Sequence, residues 1–139
     1  MGRLATEIAN ENIIVEYISA LGGTMIKLVR FTKRCKNVTR EEFKDWWLNK
    51  HVELERIAIK KTPIRKIVVS FSTGEMVGGS EPPFDAMVEM YFDSAEEMRT
   101  FLEGEIHKSG FVRKGAVNFI DKPEEAIRTV AEEYTVAEK

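Results

Sequence analysis

Apolar and polar positions along the chain repeat with two different periods, and each change of period marks an element. From Met25 to Thr32 the run MIKLVRFT is rich in β-branched and aromatic residues. Its charged Lys27 and Arg30 fall on opposite faces of any strand drawn through it, which predicts a strand largely buried on both sides. Thr39-Arg-Glu-Glu42 follows as a capping-box pattern, in which hydroxyl and carboxylate satisfy free N–H groups at a helix start. The helix carries Phe43, Trp46, Trp47, Leu54, Ile57 and Ala58 at apolar positions, with His51 in the slot between Trp47 and Leu54, and Pro63 stops it. Adjacent helical residues diverge by about 100°, so Trp47 is expected to share the inward row with His51 and Trp46 to lie to the side.

Ile64 to Thr73 reads as a second strand, followed by the Gly- and Pro-rich loop GEMVGGSEPP. Asp85 to Asp93 alternates, with Ala86, Val88, Met90 and Phe92 on one face and Asp85, Met87, Glu89 and Tyr91 on the other. Ser94-Ala-Glu-Glu97 opens a second helix with Met98, Phe101 and Leu102 inward. Beyond Gly104, residues Ile106, Phe111, Val112 and Phe119 are expected to pin a loop and a short helical piece over the core, and 126–136 to form a closing strand. Ahead of all this, Leu4, Ile8, Ile14, Tyr17, Ile18 and Leu21 trace one helical face that Gly22-Gly23 ends.

The order β-α-β-β-α-β predicts an α+β protomer of ferredoxin-like type, a four-stranded antiparallel sheet with two helices on one face. Residues 25–139 are expected to form this domain and residues 1–24 a helical extension. The other face of the sheet, with its mixed Glu89 and Tyr91 set, needs cover, and a second copy of the chain is the economical source.

Composition narrows the function classes. At 139 residues, one domain is expected, and 43% hydrophobic with 32% charged residues and a net charge of -2 is the profile of a soluble globular protein. Basic Lys33, Arg34 and Lys36 are followed at once by Glu41, Glu42 and Asp45, so no one-signed stripe offers itself to nucleic acid. Glu7, Glu11 and Glu16 interrupt the N-terminal apolar positions, and no run approaches a membrane span. With Cys35 as the single cysteine, these features point to a cytoplasmic protein without membrane or nucleic-acid partners. No glycine-rich nucleotide loop, serine-hydrolase elbow or paired-histidine zinc motif is present, so no cofactor or metal is expected.

The strand MIKLVRFTKR, the helix start VTREEF, the W-x-x-x-H spacing of Trp47 and His51, the strand FDAMVEMYFDS and NFID at Asn118 to Asp121 together resemble the EthD-type branch of the dimeric α+β barrel superfamily. The resemblance spans about residues 25–136. It implies a ferredoxin-like protomer, a homodimer whose sheets form a barrel, and a pocket between sheet and helices. It further implies cofactor-free lyase, cyclase or isomerase chemistry on small hydrophobic, aromatic or polyketide-like carbonyl compounds, or else a non-catalytic role in binding such a metabolite. A fold alone does not choose among these.

Candidate chemistry centres on His51. A histidine on an apolar helix face is more often a packed core residue than a catalyst, and the resemblance tips the balance towards a general acid/base. Trp47, on the same row, is the expected pocket wall or a core residue. In related polyketide cyclases a histidine after the second helix works with a helix tyrosine. Here His107 holds the first place and Phe101 the second, so His107 is either a substrate contact or an exposed loop residue. Glu89 and Tyr91 are expected to orient a substrate or to pair at the dimer interface, and Arg30 to bind an anion in the pocket or form an edge salt bridge. The extension helix is a candidate for higher assembly.

Overall fold

The computed structural model describes residues 25–75, 78 and 81–139, so the expected N-terminal helix lies outside the described residues. Strand β1 (Met25–Arg34) is central. Antiparallel β3 (Ala86–Phe92) pairs along one edge of it, with β2 (Lys66–Phe71) outside β3. The other edge is shared by the two-residue β4 (Ile120–Asp121) and by β5 (Ile127–Glu133), both antiparallel. The architecture is the expected α+β, ferredoxin-like one, with β4 an addition.

Helix α1 (Arg40–Trp46) starts where the capping box predicts: the Thr39 hydroxyl accepts from the Glu42 N–H at 3.1 Å and the Glu42 carboxylate from the Thr39 N–H at 3.2 Å. A π-helical turn, Trp47–His51, joins α1 to α2 (Val52–Lys61). Helix α3 (Ala95–Glu103) is capped by Ser94, and the short α4 (Glu105–Lys108) follows Gly104.

Register assigns the two faces of the sheet. Ile26, Leu28, Val88, Met90 and Phe92 face the helices and form the core with Phe43, Trp46, Trp47 and Phe101. Lys27, Val29 and Phe31 stand opposite Tyr91, Glu89 and Met87 on the other face. Val29 and Tyr91 are buried yet lie outside the core cluster. Asp85, just ahead of β3, accepts from the Arg34 backbone N–H at 2.8 Å and pairs with the Arg34 guanidinium at 3.4 Å, tying the preceding loop to β1. Among the described residues, no helix is long and apolar enough to cross a membrane.

The burial of Trp46 overturns one expectation about α1, and a π turn shifts the pattern that follows it. The Val52 N–H bonds to the Trp47 carbonyl five residues back, so the turn holds one residue more than an α-helical turn. Both tryptophans are buried, Trp46 at 8% and Trp47 at 2% exposure, where plain helical spacing places only Trp47 inward; Trp46 is covered by His51 and Phe119, whose rings stack on it. Downstream, the buried set moves one residue later. Glu55 and Ala58 are buried, while Leu54 is half-buried and Ile57 is exposed.

Candidate functional site

A cleft between the helix-facing side of the sheet and the α3–α4 region has an apolar wall of Leu28, Val88, Met90, Phe101, Ile106 and Val112. Its polar lining is wholly basic: Arg30, His107, Arg113 and Arg128. It is a small, half-open cleft of about 30 Å³, room for at least about one or two water-sized groups.

Each basic group has a local reason for its place. Arg30 of β1 and Arg128 of β5 are directly opposite in the antiparallel register, and so share a face. Arg113 ends the short turn Phe111–Arg113, which follows Gly110 in the left-handed conformation at φ 69°. A Cβ on Gly110 would stand 3.0 Å from an Arg113 guanidinium nitrogen, so the glycine leaves the space that this side chain occupies. His107 lies on α4 rather than in a loop, and its ring packs 5.1 Å from that of Phe101.

No carboxylate pairs with Arg30, Arg113 or Arg128 among the described residues. Burial, and then Arg113 and Arg128, lower the Arg30 pKa to about 10. Burial also lowers that of His107, with Arg113, Arg128 and Arg30 adding to the effect, which favours the neutral imidazole. A neutral base beside unpaired guanidinium groups can take a proton from a carbon next to a carbonyl and hold the oxyanion that results. Among the described residues, no group of at least three His, Cys, Asp or Glu side chains stands together as a metal site.

His51 does not line this cleft. It is 6% exposed, stacked on Trp46 at 4.7 Å and edge-on to Trp47 at 4.8 Å, while Trp46 stacks in turn on Phe119 at 4.5 Å. Its Nδ1 is buried without a hydrogen-bond partner. Burial, with a smaller push from Arg30, lowers its pKa to about 4. Trp47 does not line the cleft either; its Nε1–H donates to Glu55 at 2.9 Å. Burial pushes the Glu55 carboxyl up to about 7 against that hydrogen bond.

Glu89 and Tyr91 are on the opposite face of the sheet from the cleft, where Lys27 bridges Glu89 and Glu133 and the Tyr91 hydroxyl donates to Glu133 at 3.0 Å. Lys27 is correspondingly raised, first by its bond to Glu89, and Glu133 lowered, first by its bond to Lys27. The expected site residues thus separate into three places: Arg30 and His107 in the cleft, His51 and Trp47 in an aromatic cluster, Glu89 and Tyr91 on the far face. Arg113, Arg128 and Glu55 escaped the sequence reading. Arg128 could have been found only with the β1–β5 register in hand.

Comparison with known proteins agrees with this architecture. The family model described as EthD domain matches residues 36–123, well over half of the chain. An EthD family protein from Bacillus halodurans is 24% identical, with a TM-score of 0.58 over 79% of this chain and 99% of that one. A hydroxynitrile lyase from Passiflora edulis is 10% identical, with a TM-score of 0.56 over 82% of this chain and 97% of the lyase. A protein from Bacteroides fragilis, described as dimeric, of unknown function and ferredoxin-like in fold, is 20% identical, with a TM-score of 0.51 over 78% of this chain and 96% of that one. At these identities the likeness establishes the fold. No curated protein sequence matches the chain. The match over residues 36–123, on a ferredoxin-like protomer, places this chain in the EthD domain family.

Proposed function

We propose that the protein is a cofactor-independent enzyme of the lyase, cyclase or isomerase type, acting on a small cyclic or polyketide-like carbonyl compound, with a pocket histidine as general acid/base. The observation that carries this reading is the cleft in which His107 meets Arg30, Arg113 and Arg128 on an apolar wall. His107 takes the proton from the carbon beside the carbonyl, and the electron pair moves onto the carbonyl oxygen, where the guanidinium groups hold it. Returning the proton to a different carbon isomerises the compound; giving it to a departing β-hydroxyl completes a dehydration. A second copy of the chain covering the Val29, Phe31 and Met87 face would complete the assembly as a homodimer, in line with the dimeric description of the Bacteroides relative.

One observation favours a second assignment of the base. His51 is held neutral by burial, and its Nδ1 has no hydrogen-bond partner. Solvent deuterium wash-in beside the carbonyl of a panel of cyclic ketones, followed by mass spectrometry, separates the two. The cleft reading predicts that His107→Gln lowers exchange by about 10²- to 10⁴-fold while His51→Gln retains it. The reverse pattern assigns the base to His51. Binding of the panel without exchange by the wild-type protein would make it a carrier or accessory protein for a hydrophobic metabolite.

A further inference from the structure

The cleft carries more positive charge than the proposed chemistry uses. Removing a proton beside a carbonyl develops one negative charge, and only transiently. Arg30, Arg113 and Arg128 are present before the reaction starts, and among the described residues no carboxylate offsets any of them. Arg30 and Arg128 even face each other across neighbouring strands, a like-charge placement that costs stability. The Arg30 Nε is buried without a hydrogen-bond partner among the described residues. Gly110 keeps clear the space in which the Arg113 guanidinium lies.

We propose that the natural ligand of this cleft carries a permanent carboxylate on an apolar body, held by Arg30, Arg113 and Arg128 while the body lies against Phe101, Ile106 and Val112. The inference rests on the cleft being the functional site and narrows its substrate to an acid. Guanidinium forks match the two oxygens of a carboxylate, and the apolar wall of the cleft offers the body of such a ligand a surface to lie on.

Calorimetric titration of the full chain at low ionic strength with benzoate, benzamide and inorganic phosphate tests this. Benzoate is expected to bind at least about tenfold more tightly than benzamide, and Arg113→Gln and Arg128→Gln each to remove most of that preference by weakening benzoate far more than benzamide. Arg128 is exposed on β5, so its variant carries the test should Arg113→Gln fail to fold. Equal affinities, no benzoate binding, or a preference that survives both variants overturns the proposal; tighter binding of phosphate overturns the assignment to a carboxylate. A benzoate preference without deuterium exchange on any ketone leaves the anion site standing and defeats the catalytic reading. Exchange of neutral ketones without a benzoate preference does the opposite.

Discussion

Arg30 and Arg128 stand directly opposite each other on adjacent antiparallel strands and line one cleft, and no carboxylate among the described residues pairs with either. A protein selected for stability alone would not keep such a pair. In the absence of ligand, Arg128→Gln is therefore expected to stabilise the protein by roughly 0.2–1 kcal/mol, with the gain shrinking as salt is added. Chemical denaturation at low and high ionic strength checks it, and a destabilised variant would mean that Arg128 has a favourable partner.

His51 and Glu55 share one side of the helix and are pushed by burial in opposite directions, His51 to about 4 and Glu55 to about 7. For His51, whose folded pKa lies below its unfolded value, stability is fully present above about pH 6.5 and is lost as pH falls towards 4. For Glu55, whose folded pKa lies above its unfolded value, stability is fully present below about pH 4.5 and is lost as pH rises through 7. Each slope is worth about 3 kcal/mol over its window, and in the wild type they nearly cancel between pH 4.5 and 6.5. Glu55→Gln, which keeps an acceptor for Trp47, should uncover a stability that rises with pH across that window, and His51→Asn one that falls. Urea unfolding at a series of pH values reads both; two flat profiles would contradict the burial argument.

Trp46 is sandwiched between His51 and Phe119, at ring distances of 4.7 and 4.5 Å, and this stack fastens the segment after α4 to α1. Trp46→Ala is expected to cost about 3–5 kcal/mol. The accompanying amide-exchange change should centre on residues 116–121, because those are anchored through Phe119. Uniform loss of protection across the sheet would instead make Trp46 an ordinary core residue.

The face of the sheet that carries Val29, Phe31 and Met87 is the one assigned to a second copy of the chain. Met87→Glu places a charge there without entering the helix-side core, so it should leave the protomer folded and shift sedimentation from dimer to monomer. An unchanged sedimentation coefficient would move the interface elsewhere.

Local signals in the chain lead to the observed elements, whereas the lining of the cleft depends on segments distant in sequence. The capping boxes at Thr39 and Ser94, the stop at Pro63 and the two-residue alternation from Ala86 to Phe92 each depend on neighbours within a few residues, and they lead to the observed elements. The alternation also separates Glu89 and Tyr91 from Val88 and Met90, but only β1 and the helices reveal which set meets a cavity. Two features lay beyond such reasoning. A π turn leaves no mark in apolar spacing, which hides the burial of Glu55, and Trp46 is buried by Phe119, a contact between segments distant in sequence. Arg113 and Arg128 reach the cleft through a left-handed glycine and a strand register, both properties of the folded chain.

The central claim is that the ligand site is the basic cleft of His107 rather than the aromatic cluster of His51. Imidazole resonances of the two histidines, followed by NMR while benzoate is added, test it most directly. A saturable shift of the His107 signals that disappears in Arg128→Gln is expected, with those of His51 changing far less. A His51 shift on an unmoved His107, or no shift in either, would contradict it.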